Sequence, residues 1–558
     1  MIDNLLTALS QAAQPVILLA IVVGVVLGYI VGALPGLGPA VTVALLLPFT
    51  YDMSPLTSLA MLTALYMAAQ YAGSITAVLM NIPGEAGATA TTFDGYPLTK
   101  QGKPQKALGM SMGASFFGGL VSTVGLMFAA IQLGEIALRF GPPEYFALAV
   151  FGLTVAATLG SGSQLKALIA VCVGLLVSTI GLDALTGSPR YTYVTELYEG
   201  ITLVPALIGL FAISEVLVSV EQSLQGVKPE TKLRGGMPTT KEYRYAAPAM
   251  VRGSIIGFLI GVLPGAGASV SSFVAYSQEK RSSRHPETFG KGDLRGVAAP
   301  EASNNAAVSG SLVPLLALGI PGSATAAILI GAFLIHGLTP GPLLFQNEPD
   351  LIYGLFGALF VGNFVMLALG LGGVRLWARV TLISPRVLMP LVLALSLVAA
   401  YSDSNTIFDV WVAIAFGVVG YAFRRFDFPI APIVLAIVLG KLVEGSFRRS
   451  MVISGGSLDI FLQRPLALVL LALTIVTVLW PLLAGIIRRR RMPGPDGGRS
   501  RPDPGDVRPG GVPPGGADAG ADRPVAVGSD GGVPRAKVPD AAQPVPFGPD
   551  DERSERRT

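Results

Sequence analysis

Apolar runs recur along this sequence from residue 15 to residue 487, and charged residues rarely interrupt them. They lie near 15–34, 37–50, 56–80, 107–133, 144–160, 163–182 and 199–220, then near 250–278, 302–335, 351–373, 384–401, 406–423, 428–443 and 465–487. A helix needs about 20 residues to cross the hydrocarbon core. Several runs reach that length, and others are too short or too broken to cross alone. Charged residues make up 13% of the chain and mean hydropathy is +0.62, whereas a soluble domain carries about 25% charged residues. Such a chain cannot cover its surface in water, so lipid must be the solvent for much of it. The sequence predicts an all-α integral membrane protein, a polytopic helical bundle of about 11 to 14 spanning segments.

Charge and composition divide the chain. Residues 1–14 read as an N-terminal interfacial segment. They lack a basic stretch, and the small residues Ala8, Ala12 and Ala13 precede the apolar core, so a cleaved signal peptide is not expected. Residues 15–220 form a first transmembrane unit and 248–490 a second with further spans, joined by a linker at 221–247 that carries Lys228, Lys232, Arg234, Lys241 and Arg244. This linker, the loop with Lys100, Lys103 and Lys106, and the stretch Lys280–Arg295 are expected on the cytoplasmic side. The run Arg488–Arg491 ends the last apolar segment. It suits the cytoplasmic end of a span, placing the protein in the cytoplasmic membrane with residues 491–558 inside the cell. The run borders lipid and has no interleaved aromatics, so it does not suggest nucleic-acid binding. Pro and Gly supply 26 of the 66 residues of 493–558 and Phe547 is its one aromatic, so this tail cannot bury a core and is expected to be disordered.

Two stretches of the first unit return in the second. GYIVGALPGLG (28–38) matches GFLIGVLPGAG (257–267), and GSITAVLMNIPG (73–84) resembles GSLVPLLALGIPG (310–322) with one residue inserted. Two motifs in the same order predict two structural repeats. The loop after the second motif is basic in the first unit, while its counterpart at 338–350 lacks Lys and Arg and carries Glu348 and Asp350. Opposite loop charge favours an inverted arrangement, with the substrate site between the repeats.

The motifs place four Pro-Gly pairs in apolar surroundings: Pro35-Gly36, Pro83-Gly84, Pro264-Gly265 and Pro321-Gly322. Proline removes an amide donor and glycine permits unusual dihedrals, so each pair predicts a discontinuous or re-entrant helix. A half-helix N-terminus offers free amides and partial positive charge to an anion, and unwound carbonyls suit a cation. The candidate positions include Gly38 and Thr42 around the first pair and Asn81 and Thr89 around the second. Gly267, Ser269 and Ser271 follow the third, and Ser323 follows the fourth. Glu301, Ser303, Asn304 and Asn305, in APEASNNAAVSGS (299–311), open an otherwise apolar run. They fit either an ion or substrate site or a helix start capped by polar side chains. Asp94, in FDGYPL, reads as a turn former, and Glu444 and Arg448 as a pair on one helix face.

No GxxxxGK[ST] loop occurs, so the chain is not itself an ATPase, and if it moves a solute uphill an ion gradient is the expected energy source. Cys172 is the single cysteine, and His285 and His336 have no metal-ligand spacing, so neither a metal site nor a catalytic set is expected. A passive anion channel and a membrane-embedded enzyme acting on a lipid-linked substrate are the alternatives. The enzyme would need a catalytic constellation that the sequence lacks.

The segments GALPGLGPAVTVALLLP, NIPGEAGATATTFDGYPLTKQG, GVLPGAGASVSSFVAY, APEASNNAAVSGSLVPLLALGIPGSATAAILIGAF and FDFPIAPIVLAIVLGKLVEGSFRRS resemble the large permease subunit of tripartite tricarboxylate transporters, over roughly residues 15–487. The resemblance implies a secondary transporter that works with a periplasmic or surface-tethered solute-binding protein and a small membrane subunit. It implies small carboxylate substrates (tricarboxylates, dicarboxylates or aromatic acids), a Na⁺ or H⁺ gradient and no other cofactor. The tail lies outside the resemblance. Deleting 493–558 is therefore expected to leave membrane abundance and uptake unchanged. Quantitative immunoblotting beside an uptake assay checks this.

Overall fold

A computed structural model describes residues 2–34, 36–159, 163–183, 185–222 and 235–491. Pro35, part of the linker and the tail lie outside the described residues. The described chain is almost wholly helical. Its strands Gly181–Leu182 and Pro189–Arg190 pair antiparallel, with Gly181 opposite Arg190. Among the described residues, eight helices are long and apolar enough to cross a bilayer: Pro15–Gly32, Pro55–Met80, Pro104–Ala137, Leu203–Glu221, Pro349–Gly372, Arg386–Ser404, Ile407–Arg425 and Ile430–Ile453. Shorter apolar helices include Pro39–Thr50, Gln164–Ser178, Ala324–Ile335 and Pro465–Leu479. Proline punctuates these starts, since its missing amide costs nothing in the first turn.

Two helices form the inner layer. Pro55–Met80 is buried at every position from Thr57 to Leu79, and Leu294–Leu318 from Gly296 to Leu318. Each is gripped by a glycine-lined neighbour. Gly24, Gly28 and Gly32 of Pro15–Gly32 lie on the backbone of Met61, Leu65 and Ala69. Gly253, Gly257 and Gly261 of Thr240–Gly261 lie on Ala299, Ser303 and Ala307 in the same way. A Cβ on Gly28 would stand 2.6 Å from the Leu65 carbonyl oxygen, and one on Gly257 2.2 Å from that of Ser303. Within lipid, where hydrophobic burial between helices gains little, such close backbone approach supplies the packing energy.

The second motif also makes matching contacts. The Gly84 amide donates to the Gly73 carbonyl (3.0 Å) and the Gly322 amide to the Ser311 carbonyl (3.2 Å). Both bonds span eleven residues, so GSITAVLMNIPG aligns with SLVPLLALGIPG (311–322). The inserted residue expected from sequence is unnecessary.

Three local readings change. Asp94 lies inside the helix Thr89–Lys100. Its carboxylate, fully buried, accepts from the amides of Gly290 (2.9 Å), Gly292 (2.8 Å) and Asp293 (2.8 Å) and from the Tyr276 hydroxyl (2.9 Å). It shapes a distant loop rather than its own turn. The segment 299–311 is helix interior, because the helix starts at Leu294 with Asp293 as its cap. Thr240–Gly261 begins inside the segment read as linker, where Thr239 and Glu242 form a capping box. The Lys106 ammonium, 2.6 Å away, holds the Glu242 carboxyl below its usual range. Glu444 and Arg448 pair as the spacing suggested (3.0 Å), within a network that adds Arg190 (2.6 Å to Glu444) and Asp183.

Adding a methyl at Gly257 forces apart two backbones that have no slack, at about 1–3 kcal/mol. The full-length Gly257→Ala protein is expected to melt below wild type in detergent. Gly372→Ala, where a Cβ meets nothing within 4 Å, should melt like wild type.

Candidate functional site

The breaks meet in the middle of the bundle. At the first, Gly36 takes φ +86° and Gly38 caps the helix Pro39–Leu46. At the second, Asn81 (φ +60°) ends Pro55–Met80, and Pro83-Gly84 leads to a short 3₁₀ turn, Ala86–Ala88, before Thr89–Lys100. At the third, Gly265 takes φ +78° ahead of Gly267–Ser282. At the fourth, Ser323 caps Ala324–Ile335 with a bond from the Ala326 amide (3.1 Å). The Gly265 amide donates to the Gly322 carbonyl (3.0 Å), which ties the third break to the fourth. Unwound backbone at this depth survives because such bonds and the cavity below satisfy it.

All four breaks contribute to one cavity of about 750 Å³. The starts of three half-helices open onto it, at Gly38–Val41, Gly267–Val270 and Ser323–Thr325, together with Glu85 and Ala86. Arg424, at the end of Ile407–Arg425, supplies the one cationic side chain in this lining. Arg424 Nη1 donates to Glu215 Oε2, a carboxylate that also lines the cavity, while the buried Arg424 Nε has no partner among the described residues. Glu215 lies two residues after a π-helical turn, Gly209–Ile213, whose widened backbone shifts the register of the face that carries it.

A polar line runs inward from this cavity along Pro55–Met80, at a spacing of four residues: Tyr66, Gln70, Ser74. The Tyr66 hydroxyl lies 3.0 Å from Ser323 Oγ. Gln70 Nε2 donates to Asn304 Oδ1 (2.7 Å), and Asn304 Nδ2 donates to Glu85 Oε1 (2.9 Å). Glu85 Oε2 accepts the Gly87 amide (2.7 Å). Ser74 Oγ donates to Glu301 Oε1 (2.5 Å), which also accepts from Thr91 Oγ1. Glu301 Oε2 accepts from Ser111 Oγ (2.9 Å) and Ser115 Oγ (3.0 Å). Glu301 is fully buried.

Of the positions singled out from sequence, Gly36, Gly38, Pro83, Gly84, Gly265, Gly267, Ser269 and Ser323 line the cavity. Asn304 reaches it through Gln70 and Glu85, and Glu301 sits one helical turn before Asn304. The others lie elsewhere. Thr42 and Ser271 donate to carbonyls of their own turns, at Gly38 and Ala268. Asn81 is exposed, the Thr89 carbonyl bonds within its own helix, and Pro264 packs on Gly152. Pro321 is buried, Gly322 serves as the backbone link already described, and Ser303 Oγ and both amide atoms of Asn305 are buried without partners among the described residues. Sequence reasoning missed Tyr66, Gln70, Ser74, Ser111, Ser115, Glu215 and Arg424. Polar residues at intervals of four inside apolar runs were the available signal for the first five. Nothing in the sequence joined Glu215 to Arg424, 209 residues apart.

These features define a multi-pass helical membrane protein with a cavity framed by broken helices and carrying Glu85, Glu215 and Arg424. Residues 18–435 match the model of the Tripartite tricarboxylate transporter TctA family. Two curated relatives from Agrobacterium vitis are similar. One, the "Uncharacterized 52.8 kDa protein in TAR-I ttuC' 3'region", is 40% identical over 88% of this chain and 98% of its own length. The other, the "Uncharacterized protein in TAR-II ttuC' 3'region", is 41% identical over 42% of this chain and 97% of its own length. No solved structure matches the chain. The chain belongs to the tripartite tricarboxylate transporter TctA family, a family of transporter membrane subunits.

Among the described residues Asn304 alone joins Gln70 to Glu85 through side-chain bonds, and truncating it leaves the buried Gln70 amide and the half-buried Glu85 carboxylate each short of a partner. Asn304→Ala is expected to cost about 2 kcal/mol, the penalty for unmet buried polar groups. Unfolding of the purified variant in detergent checks this.

Proposed function

We propose that the chain is the membrane permease subunit of a binding-protein-dependent secondary transporter that imports small carboxylates on a cation gradient. The cavity is the observation that carries this reading: three half-helix starts and the Arg424 guanidinium converge on it. Free amides, helix dipoles and a guanidinium are the donor set for a carboxylate. The volume of about 750 Å³ suits a tricarboxylate such as citrate. The substrate carboxylate takes the place of Glu215 on Arg424, an exchange of one anion for another that keeps the guanidinium paired.

Family membership supports the remaining parts. A periplasmic or surface-tethered solute-binding protein delivers the substrate, a small membrane subunit accompanies this chain, and the assembly sits in the cytoplasmic membrane; the basic run Arg488–Arg491 favours a cytoplasmic tail. The paired breaks and glycine stripes support two repeats, arranged in inverted orientation, that rock about the cavity.

The test is uptake of radiolabelled citrate and other carboxylates into proteoliposomes that hold this chain and its small partner, with the binding protein and an imposed Na⁺ or H⁺ gradient. Uptake that requires both gradient and binding protein is expected. Uptake indifferent to both would mean a channel and overturn the proposal. Arg424→Gln is expected to weaken binding of the transported acid about 10- to 100-fold, the worth of one charge-assisted bond. Unchanged affinity would remove Arg424 from the site.

A further inference from the structure

The Glu301 carboxylate accepts four hydroxyl hydrogen bonds in full burial, and no Lys, Arg or His among the described residues pairs with it. A buried charge without a counter-charge is costly even when its hydrogen bonds are made. Four converging hydroxyls lower that cost by holding the anionic form, since an ionised carboxylate only accepts. A carboxylate placed in this way calls for a counter-charge.

Independent side chains point to what neutralises it. Asn305, one turn after Glu301 on the same inner helix, is 2% exposed, and neither its Oδ1 nor its Nδ2 has a partner among the described residues. Across from this face, Gly118 of Pro104–Ala137 lies on Ala302. Asn363 Oδ1, fully buried and also without a partner, faces Gly119, four residues after Ser115. Uncommitted amide oxygens therefore lie one turn beyond Glu301, at Asn305, and one turn beyond Ser115, where Asn363 meets Gly119 in a seam that also holds Thr123 and Ser309 (3.2 Å apart).

We propose that Glu301, with Ser74, Thr91, Ser111, Ser115 and the adjoining amide of Asn305, binds a desolvated sodium ion beside the substrate cavity. The donor set is all oxygen, as a hard cation requires, and each hydroxyl keeps a second lone pair that it can turn to the ion. A single carboxylate balances one positive charge; a divalent ion would leave an excess charge buried. The Tyr66–Gln70–Ser74 line and the Glu301–Asn304 turn connect this ion to the cavity, so ion and substrate act on the same two inner helices. Its role as the coupling ion rests on the transport reading above; its binding does not.

The experiment uses the purified full-length chain without carboxylate or partners. It measures ²²Na⁺ binding and the thermal midpoint in NaCl, KCl or choline chloride at constant ionic strength. Saturable binding and a midpoint that rises with Na⁺ but not with K⁺ or choline are expected. Glu301→Gln is expected to abolish both. Thr91→Val and Ser115→Ala, each lacking one hydroxyl, are expected to raise the apparent Kd for Na⁺ about 2- to 10-fold, and they carry the test if Glu301→Gln does not fold. Glu444→Gln, in the surface ion network, should bind Na⁺ like wild type. No Na⁺-specific response in wild type, wild-type binding in the Glu301, Thr91 and Ser115 variants, or a midpoint that follows pH but ignores Na⁺ would each overturn the proposal. Intact Na⁺ binding without gradient-driven uptake would instead sink the transport reading and leave the ion site standing.

Discussion

A helix interrupted inside a bilayer strands amide and carbonyl groups that hydrocarbon cannot solvate. Four interruptions of that kind meet in this protein, and much of the architecture serves to make them tolerable. Two inner helices are buried over nearly their whole length, and glycine stripes bring flanking helices against their backbones. This close packing surrounds the breaks with protein. The amides at Gly84, Gly265 and Gly322 then find carbonyls of neighbouring segments. What stays uncommitted, the first turns of the half-helices, faces one cavity.

The cavity and the Glu301 nest divide the electrostatic work. Around the cavity, partial positive charges from helix starts stand with Arg424, and the guanidinium is held by the Glu215 carboxylate. One turn away the roles are reversed: a buried carboxylate is enclosed by neutral hydroxyls. Asn304 is where the regions touch, since it bonds Glu85 and Gln70 at the cavity wall and shares a helix face with Glu301. An anion on one side and a cation on the other would each relieve the field of the other.

Much of this was legible in the residues. Apolar runs with few charges dictated a membrane protein, and proline and glycine marked where helices start and break. The glycines of GxxxGxxPGxG at 28–38 and 257–267 marked two helices that lay glycines on a neighbour's backbone. Other readings failed for one reason. Asp94 looked like a turn residue because Gly95 and Pro97 follow it, yet its partners are amides near residue 290. The polar run at 301–305 read equally as a helix cap, because sequence does not reveal whether such a run meets water or the core.

The sequence by itself determined the solvent of this protein, its helical class, its family and the positions of its breaks, since each follows from local composition and backbone chemistry. Tertiary structure alone decided which polar groups share a site. Glu301 and its four hydroxyls come from four helices, and Arg424 meets Glu215 across 209 residues. Such pairings depend on which faces the packing turns inward, and helical periodicity fixes which residues share a face without fixing what that face will meet.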